Sequence, residues 1–106
     1  MQNVVNNILS SIQKKIQTVE PTATIFLFGS RVNGTASNES DWDILILLKE
    51  PVNKQKKRII QDIVFPFSVT IGAFINLLII WEIDWLNNPS YYSLHQTIEA
   101  QALFES

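Results

Sequence analysis

The stretch Phe26-Leu27-Phe28-Gly29-Ser30-Arg31-Val32-Asn33-Gly34-Thr35-Ala36-Ser37-Asn38-Glu39-Ser40-Asp41-Trp42-Asp43-Ile44-Leu45-Ile46-Leu47-Leu48 decides how this chain is read. It begins in a short apolar run, Ala23 to Phe28, suited to a buried strand, which Gly29-Ser30 breaks. It ends in a second run, Trp42 to Leu48, that is almost wholly apolar around Asp43 and is stopped by Lys49-Glu50-Pro51. Between them lies a polar loop of about a dozen residues, and a connection that long in a small domain is usually functional.

Working outward, Val4, Val5, Ile8, Leu9, Ile12, Ile16 and Val19 recur at three- and four-residue steps, which predicts an amphipathic helix over Asn3 to Val19. Glu20-Pro21 ends it, because the residue before a proline avoids helical geometry. On the other side, Asn53 to Phe65 predicts a second helix with Ile59, Ile60, Ile63, Val64 and Phe67 as its stripe. Pro66 is expected to end or kink it. Ala73 to Ile80 predicts a third strand after a turn at Gly72, and Ile83, Trp85 and Leu86 a short linking helix or turn. Asn88-Pro89-Ser90 opens a last helix from about Ser90 to Gln101. The order helix, strand, strand, helix, strand, helix predicts an α/β (α+β) fold, a small mixed sheet flanked by helices. With no repeat or linker in view, residues 1–106 are expected to form a single domain.

Composition narrows the chemistry. The chain is 46% hydrophobic and 17% charged, enough for one packed core, and its net charge of −2 argues against a general nucleic-acid binder. Without cysteine and with only His95, thiolate and histidine-cluster metal sites are excluded, so any metal must be a hard cation held by oxygen. Met1-Gln2-Asn3-Val4-Val5 lacks the character of a signal peptide, and a cytoplasmic location is expected. Ile63 to Trp81 carries no charge, roughly the length of a membrane span. Pro66, Ser68, Thr70, Gly72 and Asn76 interrupt it, so a helix end, a turn and a buried strand are the expected reading, with no membrane insertion.

The chemistry concentrates in the loop. Gly29 lets a ligand approach the backbone closely. The Ser30 hydroxyl and nearby amides, at a strand end that could open a helix, suit a phosphate. Asp41 and Asp43 sit two apart at the start of a strand, so both carboxylates share a face. Two carboxylates with nucleotide phosphates make a magnesium site. Taken singly, a Gly-Ser is usually a turn and an Asp-x-Asp at a strand edge is usually solvated. Their combination, strand, Gly-Ser, ten residues, Asp-x-Asp, strand, is more specific.

That combination resembles the signature of the polymerase-β-like nucleotidyltransferase superfamily, and more closely its minimal nucleotidyltransferase domains. The resemblance is carried by Phe26 to Leu48, including Gly29-Ser30-Arg31 and Gly34. It implies transfer of a nucleoside monophosphate from a magnesium-bound nucleoside triphosphate, ATP being the expected one, to a protein or other hydroxyl acceptor. It also implies a role as the antitoxin of a HEPN-family toxin. Position by position, Ser30 would hold the triphosphate, Gly29 would admit it, Arg31 would assist, and Asp41 and Asp43 would bind magnesium and carry catalysis. Members of this group typically have a third carboxylate on the strand after the second helix, and here the polar side chain of that strand is Asn76. Glu82 and Asp84 follow the strand and could substitute only if the chain turned back to the site. A catalytically weakened nucleotide-binding or partner-binding module is therefore the alternative.

Other features carry less. Lys54, Lys56, Lys57 and Arg58 read as the solvated first turns of a helix. Trp81, Trp85, Tyr91 and Tyr92 read as packing residues, an exposed subset of which could face a partner. The small size and the uncharged stretch suit partner or self-association. His95 is expected to sit or pack on a helix surface without a role in the site.

Overall fold

The computed structural model describes residues 2–28 and 42–101, with side chains described for residues 7–28 and 42–96. Its elements are α1 (Gln2–Gln17), β1 (Thr24–Phe28), β2 (Trp42–Leu48), α2 (Lys54–Ile71), β3 (Ile75–Trp81), α3 (Glu82–Asn87), a 3-10 turn (Pro89–Tyr91) and α4 (Tyr92–Gln101). The three strands form one sheet in the order β1-β2-β3, β1 antiparallel and β3 parallel to the central β2. A parallel neighbour requires a crossover, and α2 supplies it.

Alternation along the strands sorts the side chains into two faces. On the first, Ile25, Leu27, Trp42, Ile44, Ile46, Leu48 and Ile79 pack against Leu9, Ile12 and Ile16 of α1 and Ile60 and Val64 of α2. The α1 residues stand at the three- and four-residue steps read from the sequence, and each is fully buried. On the second face Leu45, Leu47 and Ile80 pack with Trp85, flanked by Phe26, Phe28, Tyr91 and Leu94. Both faces of β2 are thus covered, which is why its sequence is nearly continuous in apolar residues rather than alternating.

Pro66 was expected to end or kink α2; it does not end it, since the helix runs on to Ile71. Pro66 is exposed, so the carbonyl that loses its N–H partner there can be met by water. Beyond it Phe67 and Ile71 still pack against the core, and that burial favours continuing. The stripe is narrower than read, since Ile59 is exposed. At the start of α2 the Asn53 side chain accepts from Lys56 N–H at 2.8 Å, an N-cap. At its end Gly72 adopts φ 68°, and its N–H donates to the carbonyls of Ser68 and Val69. A Cβ at Gly72 would meet nothing within 4 Å, so substitution there tests the backbone alone. Gly72→Ala is expected to cost about 1 kcal/mol in a denaturant titration, the left-handed penalty of an L-residue.

The uncharged stretch Ile63–Trp81 resolves into the end of α2, a turn and β3, and among the described residues no helix is long and apolar enough to cross a membrane. The last helix begins later than read. Asn88 caps a 3-10 turn by accepting from Ser90 N–H at 3.0 Å, and α4 starts at Tyr92. His95 fastens α4 to α3, donating through Nε2 to the Trp85 carbonyl at 2.5 Å, with its ring 4.1 Å from that of Trp85.

The basic run lies on the exposed start of α2, as expected. Within it Lys56 lies 2.9 Å from Glu50 and 3.5 Å from Glu20, and Arg58 3.9 Å from Asp62. The hydrogen bond from Lys56, and secondarily its charge, holds the Glu50 carboxyl below its ordinary range, and the bond to Glu50 raises Lys56. A lowered carboxyl stabilises the fold above its unfolded value and loses that contribution as pH falls through the folded one. A raised ammonium contributes below its unfolded value and loses that as pH rises through the folded one. On the acid side, Lys56→Met is therefore expected to flatten the fall in melting temperature below about pH 4.3, the unperturbed carboxyl range, followed by circular dichroism.

Candidate functional site

Among the described residues the covering of the second face is incomplete, and the candidate site lies where it stops. Asp43, the second residue of β2, points to this face together with Leu45 and Leu47. Its register partners are Phe28, the last residue of β1, and Asn76, the second residue of β3. Asn76 Nδ2 donates to Asp43 Oδ1 at 3.2 Å. The α3–α4 layer packs around Leu45, Leu47 and Ile80, whereas Asp43 is half-buried and Asn76 exposed. Leu78, on the same face two residues along β3, is 38% exposed, and Phe74 before the strand is 68% exposed. Trp42 N–H donates to the Phe74 carbonyl at 2.9 Å and ties the β2 start to this end of β3.

Asp43 thus has Phe28 and Leu78 as apolar neighbours on its face of the sheet among the described residues. A carboxylate there can keep water or a cation on its remaining lone pairs while the strand below fixes its backbone. Of the residues predicted from sequence, Gly29, Ser30, Arg31 and Asp41 lie outside the described residues. Asn76 stands beside Asp43, at the position singled out for it. Glu82 and Asp84 do not substitute for a carboxylate there. Glu82 accepts from Lys49 at 2.6 Å, and Lys49 follows the far end of β2, roughly 20 Å of strand from Asp43. Asp84 lies within 3.5 Å of Asn88 in the same local turn. Because β2 and β3 are parallel, residues following β3 necessarily emerge at the end opposite Asp43.

Phe28 and Leu78 were not singled out from sequence as site neighbours. The signal was the two-residue period, which places Phe28 with Asp43 once the β1–β2 register is known.

Comparison with known proteins bears on this arrangement. The family model described as "Nucleotidyltransferase domain" matches residues 6–94, spanning α1 to the first part of α4. The chain belongs to the nucleotidyltransferase domain family. This nucleotidyltransferase domain is 40% identical over 57 residues to "Putative protein adenylyltransferase MJ0141" of Methanocaldococcus jannaschii, covering 51% of this chain and 58% of that protein. It is 42% identical over 48 residues to "Poly(A) RNA polymerase GLD2" of Danio rerio, covering 44% of this chain and 10% of that protein. The chain therefore spans little more than half of the first of these relatives and a tenth of the second. Among solved structures, a chain of a toxin–antitoxin complex with AMP-PNP superposes with TM-score 0.59 at 21% identity, over 88% of this chain and 68% of that one. Spectinomycin adenyltransferase AAD(9) of Enterococcus faecialis, solved with ATP and spectinomycin, gives TM-score 0.58 at 23% identity, over 94% of this chain and 46% of that one. At these identities the structures establish the nucleotidyltransferase fold, with its mixed three-stranded sheet and flanking helices.

Proposed function

We propose that this nucleotidyltransferase domain transfers a nucleoside monophosphate, from ATP as the preferred triphosphate, to a hydroxyl on a protein or other acceptor. The observation that carries the reading is the placement of Asp43 at the start of β2 on the uncovered part of the second face, beside the end of β1. In this reading Asp41 and Asp43 are the metal-binding and catalytic carboxylates, Ser30 and Gly29 receive the triphosphate, and Arg31 assists. Magnesium bound there would neutralise phosphate charge and polarise the reacting phosphoryl group. The fit with Asp43 is favourable, since the residue is half-exposed and its strand is paired on both sides. The acceptor oxygen forms a bond to the α-phosphorus, the bond to the bridging oxygen breaks, pyrophosphate leaves, and the hydroxyl proton passes to water.

The toxin–antitoxin likeness supports a protein partner, and we extend the proposal to a cytoplasmic antitoxin acting with a HEPN-family toxin. Exposed Phe65 and Val69 on α2, with Phe74, offer apolar surface for such a partner or for a second copy. Sedimentation showing only monomer at high concentration would remove self-association.

Incubation with α-labelled ATP, magnesium and candidate acceptors tests the central claim. Label retained on the acceptor, and lost in Asp43→Asn, is the expected result. Nucleotide binding without any transfer would replace it by the second reading, a nucleotide-binding or partner-binding module with weakened catalysis. Asn76 at the side of Asp43 is the observation that favours that second reading.

A further inference from the structure

Hydrogen bonding within the sheet leaves one side of β3 bare. Trp42 N–H donates to the Phe74 carbonyl, so the backbone groups of Phe74, and by alternation those of Asn76, Leu78 and Ile80, face β2. Those of Ile75, Leu77, Ile79 and Trp81 face away from it, and among the described residues no strand pairs with them. Natural sheets blunt such an edge with a charged side chain, a proline or a bulge. β3 has none of these. Ile75-Asn76-Leu77-Leu78-Ile79-Ile80-Trp81 carries no charge and no proline, and its register with β2 runs unbroken from end to end. The opposite edge of the sheet, β1, is shorter and has α4 against it.

Apolar side chains flank the same edge. On α2, Asp62, Pro66 and Thr70 line a cleft with Lys15, which marks the side toward α1. Lys57 lines a cleft with Ile79 and Trp81, which marks the side toward β3. Gln61, Phe65 and Val69 follow Lys57 at four-residue steps and continue its ridge along the helix. Phe65 and Val69 are each 67% exposed. Because α2 runs back against the strand direction, Phe65, about two turns from Lys57, comes level with the middle of β3. On the second face of the sheet Leu78 is exposed at that level.

We propose that the β3 edge is the dimer interface of this chain, with β3 of a second copy paired antiparallel to it about a two-fold axis through Leu78. This register sets Ile75 opposite Trp81 and Leu77 opposite Ile79, so each outward N–H and C=O meets its complement. The contact is self-complementary, as a two-fold contact must be. With the axis normal to the sheet, the first face of one copy continues the first face of the other. The two Phe65 ridges meet on that face, and the two Leu78 side chains meet on the second. No charge on the strand is set against its own copy. Two such edges with their flanking side chains bury on the order of 1,000 Å², the range of a weak, reversible assembly. Pairing through the outer edge of β3 leaves Asp43 on β2 untouched, so this dimer stands or falls separately from nucleotidyl transfer.

Sedimentation velocity on the full chain, over a micromolar-to-millimolar concentration series, should show a reversible monomer–dimer equilibrium. Phe65→Glu and Phe65→Arg should each raise the dissociation constant by roughly tenfold or more, because each sets like charges together near the axis. An equimolar mixture of the two variants should recover the dimer. Ile59→Lys, on the α1 side of α2, should leave dimerisation unchanged. In the native chain the Leu77 and Ile79 amides should exchange more slowly as concentration rises. A chain that stays monomeric throughout overturns the proposal and leaves the edge to a strand of another protein. A dimer whose Leu77 and Ile79 amides exchange at a rate independent of concentration overturns it too, as does a mixture of folded Phe65 variants that stays monomeric.

Discussion

Asp43→Asn is expected to lower nucleotidyl transfer by about 10²-fold or more, the scale on which removal of one charge-stabilising group acts at a phosphoryl centre. The substitution keeps side-chain volume and shape and removes one negative charge. Asp43 lies on the open part of the second face and its backbone is held by both neighbouring strands. Folding should therefore change little, and the melting temperature should stay within a few degrees. In the variant, two amides would face each other across β2 and β3, and one can still donate to the other's oxygen. The paired measurement is nucleotide affinity by calorimetry with and without magnesium. Loss of the magnesium-dependent part of the affinity is expected. Full transfer in a folded Asp43→Asn protein would eliminate the proposed site.

Ile46→Ala should do the reverse, removing stability before it touches chemistry. Ile46 is fully buried at the middle of the central strand, register partner of Ile25 on one side and Ile79 on the other, all on the face covered by α1 and α2. Truncating a buried isoleucine costs about 2–5 kcal/mol. A domain of this size has about 5–15 kcal/mol in all, and each kcal/mol shifts its midpoint by roughly 4–8 °C. A fall of more than about 10 °C in melting temperature is expected, by circular dichroism or calorimetry. Nucleotide should partly restore it, by mass action on the folded state. A fall of only a degree or two would mean that the β2 core is not packed as described.

Much of the fold was legible because its elements announce themselves locally. The spacing of Leu9, Ile12 and Ile16 marks the buried stripe of α1, and Trp42 to Leu48 is the observed β2 without adjustment. Pro66 misled, because a local rule about a missing N–H competes with long-range burial of Phe67 and Ile71, and burial won. The 3-10 turn at Pro89–Tyr91 was missed because a cap and a proline signal that a helix begins without specifying the hydrogen-bond pattern of its first turn. His95 could not be placed from sequence, since its partner is a backbone carbonyl ten residues away.

For the site, the spacing of Gly29-Ser30 and Asp41-Trp42-Asp43 and the absence of cysteine are properties of the chain alone. Through their resemblance to the nucleotidyltransferase signature they made the family legible, and the match over residues 6–94 bears the family out. Whether Asn76, Glu82 or Asp84 stands beside Asp43 depended on strand direction and register. Those are set by which apolar faces can be buried together, a property of the packed sheet. The parallel pairing of β2 with β3 brings Asn76 within hydrogen-bond distance of Asp43 and carries Glu82 to the far end, where Lys49 receives it.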